Sequence, residues 1–157
     1  MRFSDLKENM MDISLKRITS DNYEEISLLE VEEYQEDYIA SNMWSLVEAA
    51  YNENYVVRGI YLSDKPVGFF MWVKENSHKI AIWRFMIDKA HQNKGLGRNA
   101  LQLALNEIKQ DKEINEIEIC YNPLNPVAKT FYASFGFEEI GMDKNGDDML
   151  AVIRVTQ

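Results

Sequence analysis

Cysteine is nearly absent from the chain, with one residue, Cys120, among 157. A single thiol excludes an internal disulfide and any zinc site built from several cysteines, and it is typical of a reducing cytoplasm. Residues 1–12 lack the apolar core of a secretory signal, and the longest apolar run, 67–73, is too short to cross a bilayer. These absences predict a cytoplasmic protein without membrane contact.

Proline is also scarce, with three residues, and no Pro/Gly-rich linker, repeat or low-complexity tract divides the sequence. A chain of this length is long enough for one domain with a real core. We therefore expect a single domain over residues 12–157, preceded by an N-terminal extension at residues 1–11.

Positive charge is missing from one long segment. Residues 18–57 contain ten acidic residues and no Lys, Arg or His, whereas the whole chain has a net charge of −9. The charge balance reverses over residues 79–106, where every charged residue except Asp88 is basic. An anionic and a cationic region suit two unlike ligands, although solvated helix faces would give the same composition. The acidic segment argues against nucleic-acid binding, because it would repel phosphates.

Metal binding is not expected either. His78 and His91 lie far apart in the sequence, and no other ligand-type residues occur near them at metal-ligand spacing.

Alternating hydrophobicity in some segments and strand-like apolar runs in others predict seven strands. The turns SDKP and ENSHK (63–66 and 75–79) separate three of them, which indicates an antiparallel meander. Asn145-Gly146 is a favoured hairpin dipeptide and joins the last two. The predicted strands are 13–18, 55–62, 66–73, 80–87, 114–121, 136–142 and 148–155.

Helical spacing predicts four helices between these strands. Asn125 is predicted to cap the last one, with Pro126 at its first position. Ser20 or Asp21 is predicted to cap the first, whose apolar positions are Ile26, Leu28, Leu29 and Val31. The resulting order is βααβββαβαββ, a mixed α/β (α+β) protein. The remaining helices are predicted at 43–51, 96–108 and 125–135.

The loop QNKGLG, residues 92–97, is the strongest motif. Glycine lacks a Cβ, so backbone N–H groups can approach a ligand, and a helix N-terminus directly after such a loop favours an anion such as a diphosphate. A flexible helix entry would look the same. A dinucleotide fingerprint is a third interpretation, since Gly95, Gly97 and Ala100 match G-x-G-x-x-A, with Glu116 or Glu118 as its acid. The preceding meander argues against it.

Two blocks together resemble a known family. The stretch QNKGLGR is similar to the Q/R-x-x-G-x-G/A signature of the GNAT superfamily of N-acetyltransferases, and NPVAKTFYASFGFEEIG, residues 125–141, resembles that family's later block. The resemblance covers residues 12–155 and implies the GNAT fold, with a mixed, mostly antiparallel central sheet flanked by helices.

The resemblance implies acetyl-CoA as the co-substrate. Its diphosphate would lie on the glycine loop, and its pantetheine arm would pair with the strand before the loop. Tyr132 matches the family's tyrosine that protonates the departing CoA thiolate, and a phenol with a pKa near ~10 suits this role. The cofactor-binding residues predicted in this way are Phe85, Met86, Ile87, Gln92, Asn93, Lys94, Gly95, Leu96, Gly97, Arg98, Asn125 and Lys129.

The acceptor amine must lose a proton before it attacks, at a cost of about 4 kcal/mol near neutral pH for a lysine-like amine. Several relatives carry an acid on the strand before the glycine loop, where this chain has Arg84. Glu118 and Glu33 are the candidates for a base or a proton relay. Cys120 is interpreted as a small strand residue, because direct attack by the amine needs no nucleophilic side chain.

The acidic segment suggests the acceptor. The stretch VEEYQEDYIASN, with the later RFMID, resembles the bacterial diamine/polyamine branch of the family. Spermidine or spermine is the predicted acceptor, with cation–π contacts from Tyr34, Tyr38 or Trp44. The residues predicted to hold a distal ammonium group are Glu30, Glu33, Glu36 and Asp37.

Other functions remain open at this stage. A protein or peptide amine, at an N-terminus or a lysine, and an aminoglycoside would also be attracted to an acidic groove. A non-catalytic module that binds acetyl-CoA is a different class of function. Many family members dimerise, so a homodimer is one expected assembly.

Overall fold

The computed structural model describes residues 12–156, and the predicted N-terminal extension lies outside the described residues. Within this range the element order is βααβββαβαββ, as predicted. The strands are β1 (Ile13–Arg17), β2 (Tyr55–Leu62), β3 (Lys65–Asn76), β4 (Lys79–Ile87), β5 (Glu116–Tyr121), β6 (Glu138–Met142) and β7 (Met149–Arg154). The α-helices are α1 (Tyr23–Ser27), α2 (Asn42–Ala50), α3 (Leu96–Ile108) and α4 (Ala128–Ala133).

The strands form one sheet in the order β1-β2-β3-β4-β5-β7-β6. All neighbouring strands are antiparallel except β4 and β5, which are parallel. The predicted meander of β2, β3 and β4 is confirmed, and so is the mixed, mostly antiparallel sheet.

Hydrophobic clusters cover both faces of the sheet. The larger includes residues of α3 such as Leu101 and Leu105, and the other includes Ile26 of α1. The central strand β3 is buried along most of its length, which explains its continuous apolar run. Strand β4 alternates between the clusters, so that Phe85 packs with the first and Met86 with the second.

Strands β4 and β5 separate partway along their length. Their pairing runs from Lys79↔Glu116 to Ile82↔Ile119 and then stops. On the β3 side, Trp72 pairs with Ile82 while Met71 pairs with Arg84, so Trp83 is the extra residue of a β-bulge. A bulge bends its strand. The residues of β4 after Ile82 therefore leave β5 and open a gap between two parallel strands.

The first helix differs from the prediction. It begins at Tyr23 and ends at Ser27, and Leu28, predicted to be a core position, is 69% exposed. The predicted cap at Ser20 or Asp21 is wrong, because Asn22 occupies the N-cap position. Its side-chain oxygen accepts a hydrogen bond from the Thr19 N–H at 2.7 Å instead of capping the helix.

The last helix and the last hairpin also differ. Helix α4 begins at Ala128, and the Asn125 side chain accepts from the Val127 N–H at 3.2 Å, so Asn125 and Pro126 precede the helix. Strands β6 and β7 begin at Glu138 and Met149 instead of at residues 136 and 148, and residues 143–148 form the loop between them. Gly146 is left-handed there, with φ of +74°.

Candidate active site

A cavity of about 300 Å³ lies where β4 and β5 separate. Its walls are the end of β4 (residues 82–87), the end of β5, the glycine loop and α4. A segment before α2 contributes further residues to the wall, among them Gln35 and Tyr38. In the part of the chain that the structure describes, the side of β4 that faces β5 has no strand partner beyond Ile82, so an extended ligand could pair with it.

The glycine loop has the backbone geometry of an anion site. Asn93 and Gly95 are both left-handed, with φ of +63° and +79°, and α3 begins at the next residue, Leu96. The amide N–H groups of residues 93–95 make no hydrogen bond within residues 12–156. Left-handed residues and a helix N-terminus both present such N–H groups to a negative ligand.

Two different physical reasons favour glycine at positions 95 and 97 of the loop. Gly95 has a left-handed backbone that disfavours a side chain. A Cβ on Gly97 would meet Phe85, Ile87 and Phe131 at 3.7–3.9 Å, which is ordinary contact, so the fold itself does not demand glycine there. Gly97 lines the cavity, and a longer side chain would extend into it. The loop therefore fits a diphosphate in close contact with the backbone.

Tyr132 lies on α4 and lines the same cavity. Its ring stacks on Tyr121 of β5 at a centroid distance of 5.6 Å and contacts Phe131 edge-on at 5.2 Å. Its hydroxyl makes no hydrogen bond with any described residue. Burial raises the pKa of the Tyr132 phenol above its ordinary value, and Cys120 and Tyr121 add to the effect. The hydroxyl is therefore a protonated donor at neutral pH.

Most of the predicted cofactor-binding residues meet at this cavity. The residues of that set that line it are Phe85, Met86, Ile87, Gln92, Asn93, Gly95, Leu96, Gly97 and Asn125. Lys94, Arg98 and Lys129 do not line it. The Arg98 guanidinium donates to the Ser134 hydroxyl at 2.7 Å, and the exposed Lys129 pairs with Glu139 at 3.3 Å.

The predicted acceptor-binding carboxylates lie outside this cavity, and all four residues are exposed. Glu30 and Glu36 line an adjoining cavity of about 290 Å³, which shares Val31, Ile39 and Met86 with the first. Glu33 and Asp37 line neither cavity. Of the three aromatic candidates, Tyr38 lines the first cavity, whereas Tyr34 and Trp44 are 66% and 59% exposed.

Glu118 has a partner away from the cavity. Its carboxylate pairs with the Lys79 ammonium at 2.9 Å, and Lys79 also pairs with Glu75 at 3.1 Å. Neither Glu118 nor Glu33 lines the cavity, so the structure brings neither candidate base to the thioester position.

We expect Glu118→Gln to lower stability and leave catalysis unchanged. The substitution removes the charge from a partly buried pair, at a cost of about 1–2 kcal/mol, or a few degrees in Tm for a chain of this size. Thermal unfolding and steady-state kinetics would check this. A fall in kcat at unchanged Tm would instead assign Glu118 to a proton relay.

Two contacts that position the site were not predicted. The Gln92 side chain donates to the Ile87 carbonyl at 2.8 Å and to the Gln35 side chain at 2.9 Å, so it ties the glycine loop to β4 and to the acidic segment. Arg84, which lines the cavity, pairs with Glu48 of α2 at 3.1 Å. The Gln92–Gln35 and Arg84–Glu48 contacts join residues 57 and 36 positions apart, and no local pattern marks such pairs.

No group of three or more His, Cys, Asp or Glu residues that could hold a metal ion occurs in the part of the chain that the structure describes. None of the helices between residues 12 and 156 is long and apolar enough to span a membrane.

Comparison with known proteins identifies the class that this fold and cavity define. The model of the acetyltransferase (GNAT) family matches residues 16–137. The chain belongs to this family and is an acyltransferase, as the two sequence blocks predicted.

Two curated relatives are similar over most of their length. A probable spermine N(1)-acetyltransferase of Bacillus subtilis subsp. natto (strain BEST195) is 31% identical over 148 residues, 89% of this chain and 97% of the relative. A spermine/spermidine N(1)-acetyltransferase of Bacillus subtilis (strain 168) is 30% identical with the same coverage. The crystal structure of spermidine N-acetyltransferase from Vibrio cholerae in complex with CoA and spermine has the same fold, with a TM-score of 0.74 and 18% identity over 92% of this chain and 96% of that one.

Proposed function

We propose that this protein transfers an acetyl group from acetyl-CoA to a primary amine of a polyamine such as spermidine or spermine. The observation that carries the proposal is the cavity itself, which joins an anion-binding loop, a strand edge and a tyrosine hydroxyl, the last two without a partner among residues 12–156. Acetyl-CoA is the co-substrate, and it supplies the thioester that the amine attacks.

The walls of the cavity have distinct roles in holding the co-substrate. The amides of residues 93–95 and the N-terminus of α3 would bind the diphosphate. The unpaired edge of β4 would hold the pantetheine arm by main-chain hydrogen bonds, as an added strand does. Both interactions use backbone groups. Together, the diphosphate position and the strand edge would direct the pantetheine arm from the glycine loop towards Tyr132.

Chemistry requires a neutral amine and a proton donor. The amine nitrogen forms a bond to the carbonyl carbon while the carbon–sulfur bond breaks. Tyr132 donates its proton to the sulfur, the nitrogen releases one proton to water, and the phenolate recovers a proton from solvent. The raised pKa of Tyr132 keeps the donor loaded through this cycle.

The adjoining cavity supports the polyamine assignment. Glu30 and Glu36 line a space that shares three wall residues with the thioester cavity, so their carboxylates lie beside it rather than in it. A polyamine bound across both spaces would have distal ammonium groups near these carboxylates and its reacting nitrogen in the thioester cavity, whose described wall contains no carboxylate. The two Bacillus relatives named for spermine favour the same acceptor class.

A panel of amines tests the acceptor directly. Spermidine, spermine, putrescine, a basic peptide with a free N-terminus and an aminoglycoside would each be offered with acetyl-CoA, and CoA thiol release would be measured. We expect the highest kcat/KM with spermidine or spermine. Turnover of the peptide or the aminoglycoside without turnover of any polyamine would contradict the assignment.

We expect the Glu30→Gln/Glu36→Gln variant to raise KM for spermidine about three- to tenfold while KM for acetyl-CoA stays unchanged. Each exposed carboxylate contributes up to about 1 kcal/mol of attraction, and salt screens it. Steady-state kinetics at low and physiological salt would measure both constants.

The matched control is Glu24→Gln/Glu25→Gln. It removes the same charge from α1, also in the acidic segment but outside both cavities. Equal effects of the two double variants would show that general charge, and not a binding position, attracts the amine.

A further inference from the structure

Among the described residues that line the thioester cavity, Arg84 is the only Lys or Arg, and His91, which lies 3.5 Å from the Asp88 carboxylate, is the other basic residue. We propose that the Arg84 guanidinium, held from behind by Glu48, gives this cavity a positive potential that selects the neutral, reactive form of the acceptor amine. This inference rests on the proposed function, because it assigns a residue to the acceptor step of the same site.

Arg84 lies at the point where β4 and β5 separate. It follows the bulge at Trp83, two residues beyond the last β4–β5 pair, Ile82↔Ile119. Across the gap lies Cys120, the residue after Ile119, followed by Tyr121, on which the Tyr132 ring stacks. Arg84 and Tyr132, the proposed proton donor, therefore line one cavity from its two sides.

The Arg84–Glu48 ion pair is held in place by further contacts. Arg84 Nη2 lies 3.1 Å from Glu48 Oε1, and Nη1 donates to the Trp83 carbonyl at 3.1 Å. Both side chains are about four-fifths buried, with 20% and 22% exposure. Glu48 is on α2 and does not line the cavity. Because Arg84 lines the cavity and Glu48 does not, we infer that the positive member of the pair is the one nearer to the cavity. Arg84 Nε is also buried and has no acceptor within residues 12–156.

Other titratable groups face Arg84 from each neighbouring element. They are Glu48 from α2, Tyr55 from β2, Cys120 from β5 and Asp148 from the β6–β7 loop. Burial raises the pKa of Tyr55, and it raises the pKa of Cys120 to about 11, so both are neutral near pH 7. Asp148 does not line the cavity either. No carboxylate among the described residues compensates Arg84 on the cavity side.

A positive potential at this position serves the reaction. An ammonium ion has no lone pair and cannot attack, and a nearby cation lowers the pKa of an amine. Each unit by which the amine pKa falls raises its neutral fraction tenfold at a fixed pH below that pKa. Arg84 would thus supply part of what a general base supplies, in a cavity whose described wall contains no carboxylate.

The test uses two substitutions with opposite effects. The pH dependence of kcat would be measured with acetyl-CoA and spermidine at saturation. Arg84→Met exposes the cavity to Glu48 alone, and the midpoint of the profile should rise by about one unit, with about tenfold lower kcat below it. Glu48→Gln removes the compensating charge, and the midpoint should fall. Arg84→Lys should keep the wild-type midpoint. A merely structural pair would leave the midpoint fixed or move it in the same direction in both variants, which would overturn the inference.

Cys120 provides a readout that needs no turnover. It is the single cysteine of the chain and lines the cavity, so its alkylation rate at fixed pH reports the thiolate fraction there. Iodoacetamide labelling should be slower in Arg84→Met and faster in Glu48→Gln, and Cys120→Ser identifies background labelling. If Arg84→Met does not fold, Glu48→Gln decides alone. If the protein acetylates spermidine but both variants are labelled at the wild-type rate, this inference is wrong and the proposed function stands. If the labelling rates shift in opposite directions in the two variants but the protein acetylates no amine, the proposed function is wrong.

Discussion

Tyr132→Phe should lower kcat about a hundredfold and leave acetyl-CoA binding unchanged. The substitution removes only the hydroxyl that would protonate the departing sulfur, a type of contribution worth about 10²–10⁴ in rate. The ring contacts with Tyr121, Phe131 and Phe137 remain, so we expect Tm to stay within about a degree. Because burial raises the pKa of Tyr132, ionisation of this donor should not reduce the wild-type rate between pH 7 and 9.

Tyr61→Phe is the matched control for loss of a phenol. The Tyr61 hydroxyl accepts from the Asn22 side chain at 3.0 Å, and neither residue lines the cavity. Its removal should cost some stability and leave kcat unchanged. A kcat for Tyr132→Phe within about twofold of wild type would assign the proton donor to another group, such as a water molecule.

Gly97→Glu should abolish tight binding of acetyl-CoA while the free protein remains folded. A carboxylate in the first turn of α3 is favourable for the helix itself, since it faces the positive end of the dipole. The same carboxylate would extend into the cavity and compete with the diphosphate for the same N–H groups. We expect Kd for acetyl-CoA, measured by calorimetry, to rise at least about a hundredfold, which corresponds to about 2.7 kcal/mol.

Gly97→Ala is the control at the same position. Its Cβ would meet its nearest neighbours at 3.7–3.9 Å, and alanine also satisfies the G/A position of the sequence signature. Its effect on Kd should therefore be small. Unchanged binding in Gly97→Glu would mean that the diphosphate lies elsewhere.

The order of the elements could be predicted because the local patterns were strong. The apolar run of β3 and the helical spacing of α3 reflect which residues of each element are buried, and such a pattern is visible in a single segment. The glycine loop could also be predicted from a local pattern, since its backbone geometry depends on consecutive residues. Tyr132 required the family resemblance, because an aromatic residue on a helix is otherwise a core candidate.

Features that depend on contacts distant in sequence could not be predicted. Helix α1 ends at Ser27 although the apolar spacing continues, because the following segment is bonded to the β4–α3 loop: Asp88 accepts from the Glu30 N–H at 3.0 Å and Gln92 donates to Gln35 at 2.9 Å. Such tertiary contacts outweigh helix propensity. The bulge at Trp83 could not be predicted either, since nothing in IAIWRFMI marks where β4 leaves β5.

The most direct test of the account is a crystal structure of the protein with CoA. We expect the diphosphate to accept hydrogen bonds from the amides around residues 93–97, and the sulfur to lie within about 4 Å of the Tyr132 hydroxyl. A structure in which CoA occupies another surface, or in which the sulfur points away from Tyr132, would contradict the account.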